Sequence, residues 1–282
     1  MDNADLSSVD RLSMMRALPV SKGPVMKMNR GAAMAIALGV VAGSVGCAKE
    51  DPAEVHRRKG NELYKKEQWA QAAEEFNLSL QANPQQEKIW EKLALTHMRA
   101  GNQQKAAEAL LKTVDFKADP QAKADVYRNV AGMLLQGPKP FEAEQYFVSA
   151  VKLDPKDDSS LLWLAEMEST RGGARSMQAD PIAEHLDKAI GYYDQIIAAK
   201  PEALLAYVNK RIVLLKMMNA AKKEKETADV LAKTYGRDPV KKKEALEKAS
   251  LHQARMDEIK AKVDELSEKI TELQKKGIKL TK

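Results

Sequence analysis

The chain has 282 residues, 44% of them hydrophobic, 30% charged and only 5% aromatic, the balance of a soluble, helix-rich protein and not of a membrane-embedded or disordered one. Its formal net charge of +6 is local: residues 221 to 282 hold 17 Lys and Arg against 12 Asp and Glu, leaving +5 there. Glutamates interleave the basic runs Lys222-Lys223 and Lys241-Lys242-Lys243, and no base-stacking aromatics accompany them, so nucleic acid is not an expected partner.

In chain order, the polar, mixed-charge stretch Met1 to Arg16 comes first, and residues 1–25 read as an extension ahead of a true start at Met26 or Met28. Lys27 and Arg30 precede Ala32 to Val45, an uncharged run of 14 residues. That is too short for a hydrocarbon core, which takes about 20 helical residues. Small residues, Ser44-Val45-Gly46, follow. The order is that of a secretory signal peptide over 26–46, with a buried core helix as the competing reading. Cys47 is the only cysteine, so no intramolecular disulfide forms. Ser44-Val45-Gly46-Cys47 resembles a bacterial lipobox, although Ser44 stands where a large aliphatic residue is usual. The resemblance implies that Cys47 carries acyl chains, palmitate among them, and that 47–52 is a tether. With each buried methylene contributing about 0.8 kcal/mol, more than one chain gives stable anchoring. Ala48 stands where an Asp would resemble an inner-membrane retention signal, which points to the outer membrane, facing the periplasm.

From residue 53 the chain is rich in helix formers and poor in β-branched runs, so an all-α fold is predicted. A small residue, a bulky one four positions later and then a proline recur four times: Ala72, Phe76, Pro84; Ala106, Leu110, Pro120; Ala143, Phe147, Pro155; Ala189, Tyr193, Pro201. The alanine steps are 34, 37 and 46 residues, one of them the period of a two-helix repeat and two with insertions. Apolar-periodic helices stand upstream, as at Trp90, Leu93, Ala94 and His97, or Tyr127, Val130, Ala131 and Leu134. Each unit is therefore a helical hairpin. The alanine lets its helices approach, the aromatic fills the gap towards the next unit, and Asn-Pro or Asp-Pro stops the second helix.

Lys59-Gly60-Asn61-Glu62-Leu63-Tyr64, with Trp69, Ala72, Phe76 and Asn83-Pro84, closely resembles the tetratricopeptide-repeat (TPR) motif, and so does Ala150-Val151-Lys152-Leu153-Asp154-Pro155. The resemblance implies a TPR helical-hairpin solenoid over 53–236. It has four clear repeats and a degenerate fifth pair at about 203–218 and 220–236, ended by Thr234 to Pro239. The insert Arg171 to Pro181 breaks the fourth hairpin, as a projecting loop or an extended first helix.

Residues 237–282 are predicted to form a long basic helix. Met256, Ile259, Val263, Leu266, Ile270 and Leu273 make a heptad seam that either caps the last repeat or pairs as a coiled coil with a twin or a partner. Lys262 and Lys269 are placed to pair with Glu258 and Glu265 along their own helix.

His56, His97, His185 and His252 are scattered without ligand spacing. There is no phosphate loop, no nucleophile elbow and no acid–base dyad, so neither metal, cofactor nor catalysis is predicted. Binding has a candidate. The TPR resemblance places first helices along a groove, bringing Arg57, Asn61, Tyr64 and Lys65 from the first unit, Glu91, Leu95, Met98 and Arg99 from the second, and Arg128 and Leu135 from the third. Arg57 and Asn61 resemble the start of the carboxylate clamp of some TPR co-chaperones, from which Lys92 and Asp125 depart. The expected function is a lipid-anchored scaffold or pilot protein that binds envelope proteins during assembly of a secretin, pilus, motility or outer-membrane machine. A cytosolic adaptor or co-chaperone is the alternative.

Overall fold

The computed structural model describes residues 50–176 and 181–280. The predicted signal segment, Cys47 and the two tether residues after it lie outside the described residues, as do 177–180 of the insert. Among the described residues there are ten α-helices and no strand: α1 (Pro52–Lys65), α2 (Trp69–Ala82), α3 (Glu87–Arg99), α4 (Gln103–Leu111), α5 (Pro120–Leu135), α6 (Glu144–Leu153), α7 (Asp158–Arg171), α8 (Ala183–Ala199), α9 (Leu204–Thr234) and α10 (Pro239–Lys275). They form two compact units that divide between Ala109 and Leu110, inside α4. The fold class is all-α, built of helical hairpins, with a long C-terminal helix.

In the first unit α1 and α2 close as a hairpin around Phe76, which is fully buried. Its ring lies on Gly60 of α1, where an added Cβ would stand 2.7 Å from two ring carbons. Phe76 thus faces the first helix of its own hairpin, where the sequence pattern pointed it towards the next unit. Glycine weakens the middle of a helix by about 1 kcal/mol relative to alanine, and burying the phenyl ring returns about 1.5–3 kcal/mol. Polar ties run beside it: Ser79 Oγ donates to the Ala53 carbonyl at 2.7 Å, and the Glu75 carboxylate meets His56 Nδ1 at 2.8 Å and the Lys59 ammonium. The chain then turns into α3, whose Ile89, Leu93 and Ala94 are buried.

The second unit contains the hairpins α5/α6, α7/α8 and α9/α10. Ala143, Phe147, Ala189 and Tyr193 are all buried, Ala143 in a 3₁₀ turn, Pro140–Ala143, just ahead of α6. One apolar cluster joins Leu161 of α7, Leu186 and Tyr193 of α8, Val213 and Leu214 of α9, and the C-terminal half of α10.

Several expectations change here. Asn83-Pro84 and Asp154-Pro155 do follow helices, but Asp119-Pro120 and Asp238-Pro239 open them. Each aspartate accepts a backbone N–H of the first turn, from Ala122 at 3.0 Å and from Lys241 at 3.1 Å, and each proline supplies the first helical residue. Asp-Pro is a stop signal only where a helix already runs; ahead of helix formers it is an N-cap followed by a residue whose missing N–H costs nothing. In the second repeat the helix has already ended at Leu111, well before Pro120, and Leu110 is only half buried.

The degenerate fifth pair is not a hairpin. Residues 204–234 are one helix of 31 residues, because Met218-Asn219-Ala220-Ala221 contains neither glycine nor proline to interrupt it. Its antiparallel partner is α10, 37 residues long, across the turn at Tyr235–Asp238. The heptad seam packs inside this chain: Ile259, Val263, Leu266, Ile270 and Leu273 are 3–9% exposed within the cluster that holds α7, α8 and α9. These five residues are therefore spent on capping and are not free to pair with another chain. Lys262 meets Glu258 at 2.6 Å as predicted, while Lys269 turns forward to Glu272 at 2.8 Å instead of back to Glu265.

The insert also differs from a projecting loop at its start. Gly172, Gly173 and Ala174 are buried, and a Cβ on Gly172 would stand 2.4 Å from Leu186 Cδ2. Gly173 has φ 69°, the left-handed turn that lets the chain leave α7 and fold back.

Candidate protein-binding face

In the first unit, Arg57, Asn61, Tyr64 and Lys65 recur at helical spacing on α1, and Leu95 and Met98 of α3 are half buried. Lys92 of α3, which the sequence pattern set aside as a departure, stands against these α1 residues. Its Nζ donates to Asn61 Oδ1 at 2.5 Å, tying the two first helices together. Although Lys92 is exposed by area, its ammonium is held below the ordinary lysine range, first by desolvation and then by the nearby Arg57 and Lys65 charges.

This arrangement is cationic and incompletely neutralised. Arg57 pairs with Glu54 one turn back on its own helix. Lys65 and Lys92 have no carboxylate partner among the described residues. Three cations close enough to disfavour one another, beside half-buried Leu95, Met98 and Tyr64, suit an acidic side chain or a chain terminus on an extended protein segment. Tyr64 is fixed by an edge contact with Trp69, ring centres 5.0 Å apart. Glu91 and Arg99 lie exposed on α3.

The two candidates from α5 do not behave as groove residues. Leu135 is 8% exposed and belongs to the core of the second unit. Arg128 donates from Nε to Asp157 Oδ2 at 2.8 Å and lies 3.1 Å from Asp125, while the same Asp157 caps α7 through the Ser160 N–H at 3.2 Å. Its guanidinium clamps a helix start, a role that i, i+4 reading on α5 alone does not reveal.

Two further polar clusters in the second unit escaped the sequence. Tyr193 Oη donates to Glu166 Oε1 at 2.6 Å; Asn209 Nδ2 reaches the same oxygen at 2.7 Å, and Arg175 bonds Asn209 Oδ1 at 3.1 Å. Burial, and then the Glu166 charge, push the Tyr193 phenol well above the usual tyrosine range. This network anchors the start of the insert to α7, α8 and α9. In the other, Arg171 bridges Glu144 and Glu168, holding the Glu144 carboxyl below its usual range, and its guanidinium lies 5.3 Å from the Phe141 ring.

Three of the histidines have a shared use. His56 faces Glu75 at 2.8 Å, His185 faces Glu168 at 2.6 Å and His252 faces Glu224 at 3.1 Å, each pair crossing from one helix of a hairpin to the other. His97 has its imidazole pushed down by burial and by Lys105. No group of three His, Cys, Asp or Glu spaced to hold a metal ion occurs among the described residues, and no described helix is long and apolar enough to cross a membrane.

Residues 57–123 match the family model described as tetratricopeptide repeat. No curated protein is similar to the chain at a significant level. Similar solved structures include MamA, 19% identical, with 75% of this chain aligned to 95% of that one at a TM-score of 0.42. A TPR repeats protein of Bacteroides fragilis is 12% identical, covering 79% of this chain and 98% of its own at 0.48. PilF of Pseudomonas aeruginosa is 16% identical, covering 70% and 82% at 0.38. The cationic face lies within the stretch that matches the tetratricopeptide-repeat model, residues 57–123.

Proposed function

We propose that this chain is a membrane-tethered scaffold that grips an extended segment of a protein partner on the α1/α3 face during assembly of an envelope machine. The observation that carries the reading is the junction of Lys92 with Asn61, flanked by Arg57 and Lys65: two cations on a repeat surface, Lys65 and Lys92, without a carboxylate of their own among the described residues. TPR repeats mediate protein–protein interaction, and this face has the charge to select an acidic segment or a carboxylate terminus. Tethering rests on Ser44 to Cys47, whose lipobox-like order implies acyl chains on Cys47. In sequence, α1 starts at Pro52, five residues after Cys47.

The experiment is affinity capture from membranes by the wild-type chain, by Cys47→Ser and by Lys65→Glu/Lys92→Glu, with mass spectrometry of the mature N-terminus. The expected result is a lipidated N-terminal Cys47, release of Cys47→Ser from the membrane, and loss of an envelope partner from the double charge reversal. An unprocessed, soluble chain overturns the tether and leaves the cytosolic adaptor. Capture unchanged by the double reversal overturns the binding face.

A further inference from the structure

The outer half of the α9/α10 hairpin has an unusual surface. Its buried positions are all alanines: Ala221, Ala228 and Ala232 on α9, Ala245 and Ala249 on α10. None belongs to the cluster that packs the inner half. Large apolar side chains point outward instead, with Val230 60% exposed, Leu231 39%, Val240 65% and Leu246 49%. All four lie within about two helical turns, roughly 11 Å, of the turn at Tyr235–Asp238.

Cations share this tip. Between 230 and 246 stand Lys233, Arg237, Lys241, Lys242 and Lys243 against Asp238 and Glu244. Asp238 is occupied, capping α10 and meeting Lys241 at 3.6 Å, and Lys243 meets Glu247 at 3.9 Å. Lys233, Arg237 and Lys242 have no carboxylate partner among the described residues.

The apolar groups do not form one face. At about 100° per residue, Val240 projects about 120° round α10 from Leu246, and Val230 projects about 180° round α9 from its buried alanines. A protein groove meets a helix along one stripe, whereas these side chains surround the tip together with the lysines. A fluid anionic surface accepts such a tip from all sides, apolar groups entering the headgroup boundary and ammonium groups remaining at the phosphates. A second copy of this chain carries the same positive charge and is repelled.

We infer that the tip of the α9/α10 hairpin is a docking site for anionic lipid, a membrane contact separate from the predicted lipid on Cys47. It does not rest on the tether, and it is tested without one. In the full chain carrying Cys47→Ser and Val240→Cys, the single thiol is labelled with an environment-sensitive fluorophore and mixed with vesicles of phosphatidylglycerol and phosphatidylcholine, or of phosphatidylcholine alone. A control label sits at exposed Glu108→Cys in the first unit, and the apolar run near the N-terminus, if it binds vesicles, leaves the local signal at Val240 to be read by itself.

The expected result is a blue shift at Val240→Cys on the anionic vesicles only. It should be lost in about 1 M salt, where the screening length falls to about 3 Å, and absent at the Glu108→Cys label. Adding Lys241→Glu, Lys242→Glu and Lys243→Glu, all on an exposed helix surface, should lower the partition coefficient on the order of a hundredfold or more. A silent tip on anionic vesicles, an equal shift on neutral ones, or a shift that survives the triple reversal overturns the proposal. The first of these outcomes would leave an acidic protein surface as what the tip meets.

Discussion

The α1/α2 hairpin and the outer half of α9/α10 are both antiparallel helix pairs, yet they are held by different means. In α1/α2 a whole phenyl ring is seated on a glycine, and a nearly buried carboxylate is held between two bases. In the outer arm five alanine methyl groups meet, and the leucines and valines face away. Alanine allows close approach but buries about one methyl group per residue, worth about 0.8 kcal/mol each at most. The first pair is a tertiary structure that happens to be helical. The second is closer to two helices kept long by their own propensity and by the anchored seam beyond them.

The sharpest way to break that contrast is to remove the ring. Phe76→Ala should lower the unfolding free energy by about 3–5 kcal/mol, since it both loses the transfer term and leaves a cavity over Gly60 that rigid helices fill poorly. Urea denaturation of the full chain checks it. A loss below about 1 kcal/mol would mean that Phe76 does not hold the hairpin.

The carboxylate comes next. The His56 hydrogen bond, then Lys59, hold Glu75 below the usual glutamate range, so its contribution is fully present above the unfolded value of about 4.3 and is lost as pH falls through the lower folded value. Glu75→Gln should cost about 1–3 kcal/mol at neutral pH, and the difference from wild type should shrink on acidification below about pH 4.3. Thermal unfolding of both chains across that interval measures it. A gap that stays constant on acidification would assign Glu75 a packing role only.

How far these features could be read from the chain follows the same division. Ala72, Phe76, Ala143, Phe147, Ala189 and Tyr193 announced a helical-hairpin fold because small-then-large spacing is a local pattern that the fold obeys, and all six are buried. Helix ends were less legible: Asp-Pro means stop or start according to what precedes it, and Asp119 and Asp238 turned out to be N-caps. Residues 204–234 have the length of a repeat pair but form one helix, because local helix propensity runs on without a break. At the proposed face, spacing on α1 groups Arg57, Asn61 and Lys65, but Lys92 joins them only because a different helix brings its ammonium to Asn61. Arg128 was misread for the complementary reason, since its partner Asp157 lies on another element, 29 residues away. Cross-helix pairing is a three-dimensional fact with no short-range signature.

The smallest effect sharpens the comparison from the other side. Leu251 on α10 is 67% exposed and packs in none of the buried clusters, so Leu251→Ser exchanges an outward leucine for a polar group and removes almost no contact. Its expected cost is within about 0.5 kcal/mol, the range of surface substitutions, read by the same urea denaturation that Phe76→Ala shifts strongly. A loss above about 1 kcal/mol would show that the outer arm is covered in solution, and its leucines would then belong to a core that the small apolar interface of five alanines does not contain.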